Sequence, residues 1–240
     1  VMANQLCGVD VAFKAVRYGA SEYWAAILVA RDSDIQTLQD LNGKTWGYPY
    51  PMSTSGHLVP TAWFLEEGVV PGDMVETGGH NQSVKAVYNG EVDFGTVYMS
   101  EPIDRDYNVL CTPSGDETCE VPDELIDSCA VEEDSGRLWC GDWRPMDARP
   151  NIREEAPDVI QQVRILAVSV GVPNDTLSFG PDFPSELRTI IEDALLTFAE
   201  TDAWNDSIGN SDHYGWTGIQ PATDAEYDFI RMMVEAAGVS

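Results

Sequence analysis

The sequence predicts an α/β protein, and three observations carry that reading. Short apolar segments alternate with helical patterns at close intervals from Val11 to Tyr98. Glycine, proline and small polar residues punctuate nearly every change of pattern. A clear amphipathic helix then follows Pro184, with Leu187, Ile190, Ile191, Ala194 and Phe198 at helical spacing.

Taken in order, Val1 to Gly8 reads as a helix. Val11–Val16 and Ala25–Ala30 read as strands flanking a turn at Tyr18-Gly19-Ala20. Asp34 is expected to cap a short helix through Leu41, with Leu38 and Leu41 facing inward and Gly43 ending it. Lys44 to Tyr48 reads as a strand. A loop containing Pro49 and Pro51 leads through Ser53-Thr54-Ser55-Gly56 into a helix that reaches Glu67 and closes at Gly68. Pro60 removes a hydrogen bond from that helix, which predicts a bend there. Val75–Thr77 is a strand, Gly78-Gly79-His80 a turn, Asn81–Asn89 a helix ended by Gly90, and Val92–Tyr98 a strand. The expected sheet is mostly parallel.

From Ser100 to Pro150 the pattern breaks down. The stretch is long for a loop and sparse in periodic apolar positions, so it reads as a poorly cored insertion. Regular structure resumes with the apolar run Val163–Val170. The last helix opens on a Thr223-x-x-Glu226 capping box and stops at Gly238.

Composition narrows the function. The chain has 240 residues, enough for one large domain or two small lobes, and a net charge of −28 at neutral pH. That charge excludes nucleic acid, which is bound by Lys and Arg on phosphates. An anion would gain nothing from so acidic a long-range field, so any anion site here must work through local hydrogen bonds. No apolar run approaches the roughly 18 residues of a membrane span. The chain opens on Val1 with no visible signal peptide, as a processed product or a fragment would.

Cys111, Cys119, Cys129 and Cys140 all fall within the irregular stretch. A zinc site ordinarily shows close cysteine pairs, which are absent here. Two disulfides, of a connectivity that spacing does not give, are the better reading, and they imply an oxidising compartment. Cys7 is expected to be a buried free thiol or one whose partner lies outside the chain. No nucleophile elbow, HExxH or spaced Cys-His pair is present. The expected sets of catalytic residues, metal ligands and cofactors are therefore empty.

Ser53-Thr54-Ser55-Gly56-His57-Leu58-Val59-Pro60 carries the chemistry. At a strand-to-helix junction the first amides have no helical partner and the dipole is positive, while three hydroxyls add neutral donors. Ordinary N-capping would need only one of them. Gly78-Gly79-His80-Asn81 repeats the arrangement one unit later. Ligands of open α/β sheets sit where such turns meet.

These residues, with Asp34 to Lys44, Leu58-Val59-Pro60, Asn89 to Gly95 and Val170 to Asp175, resemble the phosphate/phosphite/phosphonate substrate-binding family of ABC importers. The resemblance implies a two-lobed type II periplasmic-binding-protein fold with a hinge and a disulfide-stapled insertion. Lobe 1 would comprise 1–42 and 169–240, and lobe 2 residues 43–168, with the insertion at 100–150. It assigns the oxyanion to Ser53, Thr54, Ser55 and His80, with Tyr23 reaching it from the opposite lobe and Gly56 and Tyr98 as further candidates. Family members carry about 70 residues before the point where this chain opens, so lobe 1 is expected to be incomplete.

Relatives that take an aminoalkyl phosphonate place an acidic residue where Tyr98 and Met99 stand. A buried ammonium without a carboxylate is costly, so a ligand without a cation is expected. The implied partners are a small phosphorus oxyanion and a membrane permease, with the protein a monomer, periplasmic or extracellular. A lipid anchor at the membrane surface stays open. So do two other classes: a ligand-sensing receptor ectodomain, and a fold relative adapted to catalysis.

Overall fold

The computed structural model describes residues 4, 7–115, 117–210, 215–236 and 238. In chain order the strands are β1 (Asp10–Val16), β2 (Glu22–Ala30), β3 (Trp46–Tyr48), β4 (Met74–Glu76), β5 (Phe94–Met99), β6 (Cys129–Val131) and β7 (Leu138–Cys140). They continue with β8 (Val163–Val168), β9 (Val172–Pro173), β10 (Thr176–Phe179) and β11 (Gly218–Pro221). The helices are α1 (Val59–Glu67), α2 (His80–Tyr88), α3 (Asp123–Ile126), α4 (Val159–Gln162), α5 (Ser185–Ala199), α6 (Asp202–Asn205) and α7 (Asp228–Ala236). The helix expected over Val1 to Gly8 lies largely outside the described residues, of which Asn4 and Cys7 are helical.

The chain forms two compact units. One comprises Val1–Glu22 and Val172–Met232, the other Tyr23–Gly171 and Met233–Ser240. This division falls after residue 22, whereas the expected lobe boundary lies at residue 42. Residues 23–42 fall in the larger unit because β2 is an interior strand of its sheet, which runs β4-β3-β5-β2-β8. β3 pairs in parallel with β4 and β5, while β2 is antiparallel to β5 and to β8. One strand therefore runs against four.

Both faces of this sheet are covered, which is why β2 reads as an unbroken apolar run. Trp24, Ala26 and Leu28 face a cluster with Val84, Val87 and Val97, and Ile27 and Val29 face one with Leu41, Trp46, Phe64 and Phe94. This is the period of two that a strand imposes.

The irregular stretch is not poorly cored. Val121, Leu138, Cys129 and Cys140 belong to the first of those clusters. Arg149, 1% exposed, donates to Asp147, Glu120 and the Val163 carbonyl, and Glu120 also accepts from the Ile165 amide. This buried ionic anchor fastens the stretch to β8. Burial disfavours the Arg149 charge, but the Asp147 and Glu120 carboxylates outweigh it and raise its pKa. The cysteines pair Cys111–Cys119 and Cys129–Cys140, the second pair directly opposed across β6 and β7. Cys7 is free and exposed, so the expectation of a buried thiol is corrected.

In the smaller unit β1 lies between β10 and β11, antiparallel to both. Ile191 and Leu195 of α5 pack on this sheet beside Phe13 and Phe179. Leu187 and Ile190 of the same helix are 46% and 63% exposed, although their spacing predicts burial. Asn174, in the Val-Pro-Asn-Asp run, is buried and donates to the Ala15 and Ala20 carbonyls, and its own carbonyl accepts from Tyr227.

Of two expected helix starts, one differs from expectation and one does not. Thr37, not Asp34, caps the short 3-10 helix Leu38–Leu41, because Asp40 reaches back to the Thr37 amide at 2.8 Å and closes a capping box there. The Thr223–Glu226 box forms as expected, ahead of a 3-10 turn that leads into α7.

Candidate functional site

Ser53 to Leu58 leave the C-terminal side of β3 and form a π-helical turn, Thr54–Leu58, that runs directly into α1. The amides of His57 and Leu58 both donate to the Ser53 carbonyl at 2.9 Å, and the Gly56 amide donates to Ser53 Oγ at 3.1 Å. The Thr54 and Ser55 amides precede these first bonds and have no helical partner. Among the described residues the Thr54 and Ser55 hydroxyls also have no protein partner, although Ser55 is 3% exposed.

Pro60 falls in the first turn of α1. Without an N–H it cannot satisfy the Gly56 carbonyl four residues back. Thr96 on β5 does so instead through its hydroxyl, and Trp46 Nε1–H donates to that same hydroxyl at 2.9 Å. The expected bend thus takes the form of a widened turn ahead of the proline, with a side chain replacing the lost donor. Gly56 has a packing reason as well: a Cβ there would stand 2.4 Å from Pro49 Cγ and 2.8 Å from Ser53 Oγ.

The second turn comes alongside. β3 and β4 are parallel neighbours, and their pairing continues past the strands as Thr77 N–H donates to Tyr48 O and Gly78 N–H to Pro49 O. Gly78 adopts φ +90°, a left-handed conformation that favours glycine. His80 then opens α2, with Nε2 3.4 Å from Ser53 Oγ. The predicted Ser53 and His80 are therefore together, from segments 27 residues apart.

The imidazole is enclosed. Tyr98 stands edge-on to it at 5.1 Å between centroids and Tyr50 at 6.4 Å. Burial alone lowers the His80 pKa to about 4, so the ring is neutral at pH 7. Nδ1 is buried without a partner. An unpaired buried acceptor is more tolerable than an unpaired N–H, so the proton belongs on Nε2, toward Ser53. Ser53 Oγ then accepts from Gly56 and His80, and its own proton is left to be donated outward. Gly56 N–H is committed to Ser53.

His57 takes no part in this cluster. Its Nδ1 bonds the Pro51 carbonyl at 2.9 Å, and its ring stacks on Trp46 at 5.4 Å. Tyr23 is half-buried and is the first residue of the larger unit, the one that holds Ser53 and His80. Tyr98 OH accepts from Asn151 Nδ2 at 2.8 Å.

Trp46, Thr96 and Asn151 were not among the expected site residues. A threonine inside the apolar run of β5 is a signal that could have pointed to Thr96; Asn151 has none. A separate concavity of about 400 Å³ is lined by Val75, Glu76, Gln82, Lys85, Asn89 and Glu91, and none of the expected ligand residues lines it. Cys111, Glu117 and Cys119 cluster closely, but their two sulfurs are bonded to each other, which removes the thiolates a metal would need. Among the described residues no helix is long and apolar enough to cross a membrane.

The chain is 27% identical over 234 residues to the Phosphate-import protein PhnD of Mycolicibacterium smegmatis. That alignment covers 92% of this chain and 60% of the relative, so the chain spans well under two thirds of its length. Its fold is similar to that of a binding protein component of an ABC phosphonate transporter from Pseudomonas aeruginosa, with TM-score 0.60 and 17% identity over 96% of this chain and 63% of the other. It is also similar to PhnD1 from Prochlorococcus marinus in complex with methylphosphonate, with TM-score 0.61 and 12% identity over 99% of this chain and 75% of the other. The family model for the ABC transporter, phosphonate, periplasmic substrate-binding protein matches residues 1–227, and the chain belongs to that family.

Proposed function

We propose that the protein captures a small phosphorus oxyanion (phosphate, phosphite or a short phosphonate) outside the cytoplasm and delivers it to an ABC permease. The observation that carries this reading is Ser53, whose hydroxyl is held by two donors at a helix start beside the unpartnered hydroxyls of Thr54 and Ser55. All these donors are neutral, and so is His80. Neutral donors in an enclosed site suit an oxyanion that already carries its charge, because they satisfy its oxygens without requiring a buried cation. Tyr23 and Tyr98 complete the proposed shell, and Gly56 serves it indirectly, because its missing side chain leaves room for Pro49 and Ser53 Oγ.

The relatives support phosphorus ligands without choosing among them: one is named for phosphate import, and another was solved with methylphosphonate. The two disulfides support an extracytoplasmic location.

The test is calorimetric titration of ligand-free protein with phosphate, phosphite, methylphosphonate and 2-aminoethylphosphonate. At least one of the first three is expected to bind at micromolar affinity or better, and the aminoethyl compound more weakly. Ser55→Ala should weaken that binding by about 10- to 100-fold, as the loss of a hydrogen bond to a charged group does. Silence across the panel, or a Ser55→Ala variant that binds as tightly as the parent, would overturn the reading.

A further inference from the structure

We propose that Asn151 is a positioning residue for this oxyanion site: one side-chain amide fastens both neighbours of His80 and so fixes the imidazole against Ser53. The proposal rests on the binding function above for its ligand, but not for its geometry.

Asn151 Nδ2 donates to Tyr98 OH at 2.8 Å and to Asn81 Oδ1 at 3.1 Å. Tyr98 is the ring that meets His80 edge-on, and Asn81 is the residue that follows His80 in α2. The two N–H groups of a single amide thus tie the end of β5 to the start of α2, with His80 between them. His80 needs such support. Among the described residues its ring nitrogens have one hydrogen-bond contact, the long 3.4 Å approach to Ser53, and Nδ1 has no partner. Orientation is therefore set by what packs around the ring.

Asn151 is itself exposed, but the turn that carries it is anchored. It sits in the short 3-10 helix Arg149–Ile152, whose Arg149 and Ile152 are both buried. Arg149 is held by five hydrogen-bond contacts to Asp147, Glu120 and the Val163 carbonyl. The ionic anchor at residue 149 and the amide at 151 share one short turn, which links β8 to two neighbours of His80.

The decisive comparison is Asn151→Leu, which keeps the branched shape and removes both donors, against Lys85→Met. Lys85 binds Glu155 at 2.6 Å and so links α2 to the same following segment without touching His80. Two quantities are read on variants shown to be folded by circular dichroism: the pH titration of the His80 imidazole by NMR, and affinity for phosphate and methylphosphonate by calorimetry. In the parent and in Lys85→Met the imidazole should titrate near pH 4. In Asn151→Leu the midpoint should move up toward the ordinary 6.5 as water reaches the ring, and affinity should fall about tenfold. If Asn151→Leu does not fold, Tyr98→Phe removes the acceptor of the same bond and serves in its place for the imidazole titration alone, because Tyr98 also belongs to the proposed shell.

A folded variant whose His80 titrates at the parent's midpoint overturns the proposal, as does an equal upward shift in Lys85→Met. If the parent binds neither ligand, the functional reading fails, while the imidazole titration still decides the positioning role.

Discussion

His80 shows how little local sequence says about chemistry. A histidine at a helix start is ordinarily a capping or surface residue, yet here Ser53, Tyr50 and Tyr98 enclose it and burial lowers its pKa to about 4. The sign of its effect on stability follows by linkage. In the unfolded chain the ring takes up a proton near pH 6.5; in the folded chain it resists until about pH 4. The contribution is therefore fully present above pH 6.5 and is lost as pH falls through that window. Thermal melts of His80→Gln should show a smaller loss of stability between pH 6.5 and 4 than the parent. Equal losses would mean that the imidazole is not buried in its neutral form.

At the scale of elements, the turn from β3 into α1 is stabilised from outside itself. Pro60 leaves the Gly56 carbonyl without a helical donor, and the Trp46–Thr96 pair supplies one from two strands of the sheet. Thr96→Val keeps the shape and removes the hydroxyl. The buried Gly56 carbonyl and the Trp46 indole N–H would both be left unpaired, at a cost of about 1–3 kcal/mol for each group. Denaturant unfolding should show a loss of about 2–6 kcal/mol for the two groups together, with ligand affinity reduced because the Ser53–Ser55 turn loses its support. A Thr96→Val variant as stable as the parent would show that the relay does not hold the turn. The irregular stretch teaches the same lesson in reverse. It was legible as non-periodic, but its core was not, because Val121 and Leu138 contribute single side chains to a cluster built by distant strands, and Arg149 bonds the distant Val163 carbonyl.

For the whole molecule, the dominant physical fact is a net charge of −28. The proposed site answers it with short-range donors and no buried cation. The remaining acidic surface repels itself, and salt screens that repulsion as the Debye length falls from about 10 Å at 0.1 M to about 3 Å at 1 M. Melting temperature should therefore rise between those two sodium chloride concentrations. A flat or falling trend would mean that the ion pairs, such as Lys14–Glu226 and the Arg149 anchor, outweigh the repulsion. The division into units also belongs to this scale. β2 follows β1 closely in sequence, yet it lies inside the larger unit's sheet.

The sequence by itself determined what short-range physics controls. Apolar periodicity marked the strands and helices, hydroxyls and glycine at a helix start marked the Ser53–Gly56 turn, Gly78-Gly79-His80 marked its neighbour, and clustered cysteines marked disulfides. Only the tertiary structure decided which cysteines pair, where the units divide, that Thr96 and Trp46 brace the Ser53–Gly56 turn, and that Asn151 meets Tyr98. Each of those choices joins groups whose separation along the chain carries no periodic or capping signal. Asn151 meets Asn81 across 70 residues and Tyr98 across 53, and only the packing of the sheet and the ionic anchor at Arg149 brings them within hydrogen-bond reach.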